Sequence, residues 1–260
     1  MKNALKEKLQ RGEVAIGTFV AIGHPDVTER LSGLGFDWLL LDSEHGPLGL
    51  ETMQSMMQAM RNTDKCVPIV RVEWNNPVII KRSLDIGAYG VLIPWVNTAD
   101  EAETAVRACK YPPAGIRGCG PRRAAMINEN YVLTANENLL TIVQIETAVA
   151  VKNVKDILAV KGIDAVYIGP TDLSMDMFGL PSKWDDSNYM TVFDTVVRAA
   201  ANAGKPAGIY ATSRNIEWAI ETGFTLPTVD SADDFLISGG RAALKKSRDA
   251  IGTKNTRHSS

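Results

Sequence analysis

The chain has 260 residues, 45% of them hydrophobic and 22% charged, with a formal net charge of −2. Those figures exclude a collagen-like, low-complexity or wholly disordered protein, and the near-neutral balance gives no electrostatic reason to expect a nucleic acid partner. Cys66, Cys109 and Cys119 are scattered and form no C-x-x-C pair, so no disulfide framework is expected and a reduced, cytoplasmic setting is the default.

Residues 1–11 are lysine-rich and read as an amphipathic helix without the apolar run of a signal peptide. No stretch approaches the ~20 apolar residues needed to span a bilayer, so no membrane partner is expected. A first strand is predicted at residues 15–20, then a helix at 25–34 opened by Pro25 and closed by Gly35. A second strand at 36–41, ending at Asp42, precedes a helix at 50–61. The third strand, 67–72, leads to a helix at 77–86 bounded by Pro77 and Gly87, and the fourth, 90–94, to a helix at 99–109. A fifth strand at 139–145 is followed by a helix at 148–160, and a sixth at 164–168 by a helix at 189–203 that stops at Gly204. The seventh, 206–210, is followed by a helix at 214–221 before Gly223. The eighth, 224–229, is weakened by Pro227, which removes a ladder donor, and a last helix spans 232–248.

The strand runs are nearly continuous in apolar residues, the pattern of parallel strands covered on both faces. Eight strand–helix repeats in a chain of this length predict a (β/α)₈ TIM barrel, which uses about 250 residues as one domain. A doubly wound open sheet would more often have about five to seven strands. We expect one barrel domain over residues 1–252 and a disordered tail over 253–260. Two long connections, 111–138 and 173–187, read as site walls or subunit contacts.

Active sites of these barrels lie at the C-terminal ends of the strands. The predicted strand ends carry Asp42, Glu44 and His45, then Arg71, then Gln144 and Glu146, then Gly169-Pro170-Thr171-Asp172. Singly, each has a plainer reading: Asp172 as a helix cap, Glu146 as a solvated acid, His45 as a turn residue, Arg71 as an ion-pair partner. Independent caps would not converge with a histidine, an arginine and a glutamine on one face. Carboxylates this close repel one another unless a cation joins them. A hard divalent ion held by Glu146 and Asp172 resolves the conflict and leaves about four octahedral positions for water and substrate. Such an ion beside Arg71 and His45 suits a 2-keto acid, whose carboxylate and keto oxygens chelate it. No strand carries the lysine of a Schiff-base aldolase, and no phosphate-binding glycine motif is present.

The segments Leu41-Asp42-Ser43-Glu44-His45-Gly46, Pro68-Ile69-Val70-Arg71-Val72, Lys81-Arg82-Ser83-Leu84-Asp85-Ile86-Gly87-Ala88, Ile93-Pro94, Tyr111-Pro112-Pro113-Ala114-Gly115-Ile116-Arg117-Gly118, Gln144-Ile145-Glu146 and Ile168-Gly169-Pro170-Thr171-Asp172-Leu173-Ser174 together resemble the HpcH/HpaI aldolases. The resemblance runs from about Gly12 to Gly223. It implies a barrel of the phosphoenolpyruvate/pyruvate type and a metal-dependent class II aldolase that releases pyruvate and an aldehyde from a 4-hydroxy-2-oxo acid. Homo-oligomers, hexamer or trimer, with the last helix exchanged between neighbours, belong to the same expectation. Carried onto this chain, it implies Glu146 and Asp172 as ligands of Mg²⁺, Mn²⁺ or Co²⁺, with Gln144 orienting pyruvate or a water. Arg71 would bind the keto oxygen, and His45 would act as base, oriented by Asp42. Asp85 would hold Arg71. Gly169, Pro170, Thr171 and Asp172 would line the substrate, with backbone N–H groups near Thr171 and Asp172 receiving the pyruvate carboxylate, and Arg123 would reach the acceptor end. Tyr210 stands where relatives often carry leucine, which narrows that wall and makes it more polar. Two alternatives are carried forward: another pyruvate-enolate lyase of the same fold, macrophomate-synthase-like or citramalyl-type, and a barrel that binds a keto acid without catalysis.

Overall fold

The computed structural model describes residues 2–61, 64–181 and 183–257. After α1 (Ala4–Gln10), the first half alternates β1 (Gly17–Val20), α2 (Pro25–Leu31), β2 (Trp38–Asp42), α3 (Leu50–Ala59), β3 (Val67–Arg71), α4 (Pro77–Asp85), β4 (Gly90–Ile93) and α5 (Ala99–Cys109). The long connection then folds into α6 (Arg122–Ile127) and α7 (Tyr131–Asn138) before β5 (Leu140–Ile145). Next come α8 (Ala148–Lys152), α9 (Val154–Ala159), β6 (Ala165–Ile168), α10 (Pro170–Phe178) and α11 (Ser187–Asn202). The chain ends with β7 (Ala207–Ala211), α12 (Ile216–Thr222), β8 (Leu226–Ser231) and α13 (Ala232–Arg257). All eight strands pair in parallel, each with its sequence neighbour, and β8 returns to β1 to close the barrel.

The barrel closes where the sequence reading was weakest. Pro227 sits inside β8 opposite Ile209, and β8 is a full stave of the barrel. Its seam with β1 carries a register shift between Gly17 and Phe19, which absorbs the irregularity. The helix expected over 148–160 breaks at Asn153, whose side-chain amide is drawn to the Asn97 carbonyl at 2.8 Å. The last helix runs past its expected end at Arg248 to Arg257; the remainder of the expected tail, 258–260, lies outside the described residues.

One end of the barrel is plugged. Leu5 and Leu9 of α1 pack into the interior cluster of Trp38, Leu40, Ile69 and Leu140. Gly17 is required there, because a Cβ would stand 2.6 Å from Trp38 Nε1, and that indole N–H donates to the Ala15 carbonyl at 3.1 Å. Lys8 pairs with Asp37 and Lys6 with Asp164, at 2.7 and 2.8 Å. The other oxygens of those carboxylates accept the Ile16 and Thr141 backbone N–H groups, both at 2.8 Å. Both carboxylates of the N-terminal face are thus satisfied by lysine and backbone N–H groups.

Candidate active site

Asp42 and Arg71 are the last residues of adjacent strands and stand side by side in register. Arg71 donates from Nε to Asp42 Oδ1 at 2.8 Å and from Nη2 to Oδ2 at 2.7 Å, a bidentate pair. Its remaining nitrogen, Nη1, lies 3.0 Å from Glu44 Oε2, in ion-pair contact but without hydrogen-bond geometry. The guanidinium also lies 4.9 Å from the Phe19 ring centre. Burial works against its charge, but the Asp42 bonds and the two acids outweigh burial and hold its pKa above the ordinary arginine value. Burial pushes the Glu44 carboxyl up, with Arg71 pulling the other way.

Glu146 follows β5. Its Oε1 accepts the Trp95 backbone N–H at 2.7 Å, and its Oε2 accepts the Gln144 side-chain amide. Trp95 adopts φ +56° to aim that N–H, a conformation uncommon for a bulky side chain. Burial raises the Glu146 carboxyl to about 7 against the Trp95 hydrogen bond, with Glu44 and Asp172 adding repulsion. Gly169 leads into α10, where a Cβ would fall 2.5 Å from Gln144 Nε2 and 2.8 Å from Glu146 Oε2. His45 is 63% exposed at its side chain, with Nε2 3.9 Å from Glu44 Oε2. A cleft of about 350 Å³ is lined by Asp42, His45, Arg71, Gln144, Thr171 and Asp172, with Phe19 and Tyr210 as its aromatic walls.

The donor set fits a hard cation. Gln144 Oε1 is buried without a hydrogen-bond partner, beside the crowded carboxylates. Buried acids that repel one another, next to an unpaired amide oxygen, form an oxygen-rich environment of the kind that favours Mg²⁺-like ions. Among the described residues no group of three or more His, Cys, Asp or Glu side chains converges as a ready cage. The fit is therefore to an ion carried by few protein ligands and completed by water or substrate.

Residues 15–235 match the HpcH/HpaI aldolase/citrate lyase family. The chain belongs to that family. It is 41% identical over 249 residues to a 4-hydroxy-2-oxo-heptane-1,7-dioate aldolase of Salmonella heidelberg (strain SL476), covering 94% of each chain. A 4-hydroxy-2-oxovalerate aldolase of Novosphingobium aromaticivorans is 38% identical over 252 residues, 96% of each. A crystal structure of an HpcH/HpaI family protein from Burkholderia cenocepacia J2315 superposes with a TM-score of 0.90 at 32% identity, over 95% of this chain and 100% of that one.

In this HpcH/HpaI chain Asp42, His45, Arg71, Gln144 and Asp172 line one cleft, and three expected contacts differ. Asp42 was expected to orient His45; its oxygens are instead taken by Arg71, and toward His45 it accepts only the backbone N–H, at 3.4 Å. Asp85 was expected to hold Arg71; among the described residues Arg71 is paired with Asp42 and Glu44, and Asp85 pairs with the buried Arg117 at 2.7 Å. Arg123 was expected at the acceptor end; its Nη1 donates to the Ile86 carbonyl at 2.5 Å, capping the end of α4 away from the cleft. The physical reason is common to the last two: α4 ends on the outer layer, so groups near its C-terminus satisfy that layer. Three contributors carried no assigned role in the sequence: Glu44, visible in its motif, Phe19 beneath Arg71, and Trp95. A tryptophan in the left-handed region leaves no sequence signal.

Proposed function

We propose that this chain is a class II pyruvate aldolase, a carbon–carbon lyase that reversibly cleaves a 4-hydroxy-2-oxo acid into pyruvate and an aldehyde. The observation that carries this reading is Arg71, fixed by the Asp42 fork and held against Glu44 and Phe19, so that its charge is oriented before substrate arrives. A preorganised cation of this kind stabilises an oxyanion that forms only as the bond breaks. Arg71 would hold the C2 oxygen. His45, exposed at the rim, would take the proton of the C4 hydroxyl as the C3–C4 bond breaks and electrons pass to the C2 oxygen. Gln144 would orient the keto acid, and the first turn of α10, which opens at Pro170, would present the backbone N–H groups of Thr171 and Asp172 to its carboxylate. Glu146 and Asp172 would hold the divalent ion, which when bound would polarise the 2-oxo group as a Lewis acid.

The names of the two curated relatives share the 4-hydroxy-2-oxo acid half and differ at the other end. That pattern supports common chemistry at the pyruvate half and a separate determinant for the aldehyde. The test is exchange of the pyruvate methyl protons with deuterium, followed by NMR with Mg²⁺ or Mn²⁺ present, together with pyruvate release from a panel of 4-hydroxy-2-oxo acids. An idle keto-acid binder would exchange nothing, and that result would overturn the aldolase reading.

The same reading includes a homo-oligomer. Leu236, Ile237, Leu244 and Ile251 of α13 are exposed by 49–69%. A long helix gains most of its stability from packing, so a neighbouring copy is the natural cover for this one. Light scattering that returned a monomer at micromolar concentration would contradict it. Among the described residues no helix is long and apolar enough to cross a membrane.

A further inference from the structure

A second cavity, of about 420 Å³, adjoins the catalytic cleft. The two share Pro170, Thr171 and Tyr210, so Tyr210 is the partition between them. Its ring meets Phe19 edge-on at 5.3 Å, and its hydroxyl donates to Asp234 at 3.0 Å, which fixes the partition in place. Beyond it the walls are Trp184, Trp218 and Met190, with Thr212, Arg214 and Asn215 at the polar end.

The aromatic wall is rigid. Trp184 stacks on Phe193 at 5.2 Å and 3°, and Trp218 meets Trp184 edge-on at 5.5 Å. Phe193 and Phe224, both fully buried, support Trp218 from behind at 5.4 and 6.1 Å. At the polar end Arg214 is exposed, and none of the ion pairs among the described residues involves it. Asn215 is already occupied, its Oδ1 accepting from Thr212 N at 2.7 Å and from Thr212 Oγ1 at 3.0 Å. A flat apolar body would therefore find an aromatic slot, and an anion at its far end an unpaired guanidinium.

We propose that this annex is the acceptor subsite, and that it selects aromatic aldehydes carrying an acid group on the ring, with Arg214 as the specificity-determining residue. The inference rests on the aldolase reading and names the aldehyde half which that reading leaves open. In the synthetic direction pyruvate loses a C3 proton and its C3 bonds to the aldehyde carbon. The aldehyde oxygen then takes a proton and becomes the C4 hydroxyl. The ring lies past Tyr210 against Trp184 and Trp218, and its acid group pairs with Arg214.

The experiment compares 4-carboxybenzaldehyde, benzaldehyde and acetaldehyde as acceptors for pyruvate, with Mg²⁺ or Mn²⁺ present, in the full-length protein and in Arg214→Gln. Charge-assisted hydrogen bonds of this type predict a roughly 10- to 100-fold fall in kcat/KM for 4-carboxybenzaldehyde in the variant. Acetaldehyde addition and pyruvate deuterium exchange should not change. Benzene-1,4-dicarboxylate, which cannot react, should quench tryptophan fluorescence in the parent protein and bind at least tenfold more weakly to Arg214→Gln. Equal losses on all three acceptors, no loss on any, or a parent protein that refuses both aromatic aldehydes would overturn the annex while leaving pyruvate exchange, and with it the aldolase reading, intact. A parent protein without exchange would remove both.

Discussion

The two ends of the barrel use the same residue types under opposite rules. At the plugged end, Asp37 and Asp164 each hold a lysine and a backbone N–H, so both carboxylates are satisfied where they stand. At the open end, Glu44 and Glu146 are buried beside each other, Gln144 keeps an unpaired oxygen and Trp95 bends into a strained conformation to supply one hydrogen bond. A cavity of about 540 Å³ does exist at the plugged end, but Lys6 and Asp164 in its wall are paired with each other, and Lys205 donates to the Leu158 and Val160 carbonyls. Hollow volume therefore does not separate structure from function here. Unsatisfied, mutually repelling polar groups do, because a protein retains that instability only where a ligand removes it.

Breaking the open end should cost turnover without costing the fold. His45→Ala removes an exposed base and should lower pyruvate release by about 10²–10⁴-fold, with an unchanged thermal midpoint. Glu146→Gln should reduce turnover by about 10²–10³-fold while thermal stability holds or rises, since it deletes a buried charge. A chelator should abolish activity in the parent protein; a Glu146→Gln protein that kept parental, chelator-sensitive rates would remove Glu146 from the metal site.

Breaking paired groups should do the reverse. Asp85→Ala leaves Arg117 buried without its carboxylate, and chemical denaturation should show a loss of about 3–5 kcal/mol, the usual cost of orphaning one partner of a buried pair. Asp164→Ala, at the plugged end, orphans a lysine that is more exposed than Arg117 and should cost about 1–3 kcal/mol while pyruvate exchange stays at the parental rate. The smallest effect sharpens the burial map. Burial pushes the Cys66 and Cys109 thiols up to about 12 and about 11, which disfavours their reactive thiolates at neutral pH, whereas Cys119 is exposed. One thiol should titrate with a disulfide reagent at pH 8 in the native protein and three in denaturant; rapid native reaction of all three would show the outer layer to be open.

Much of this was legible in the chain itself. The apolar runs and their spacing specify eight parallel strands, because a strand covered on both faces must be apolar throughout. That pattern places Asp42, Arg71, Gln144, Glu146 and Asp172 at strand ends and so on one face of a closed barrel. Partnership was not legible. Asp42 and Asp85 are both acids near Arg71 in the motif list, yet strand register sets one beside the guanidinium and the end of an outer helix sends the other to Arg117. The left-handed Trp95 and the annex wall formed by Trp184 and Trp218 likewise depend on segments far apart in sequence. A pattern of hydrophobicity determines which face each residue occupies. Only the packed three-dimensional arrangement decides which charge on that face is satisfied and which is left for a ligand.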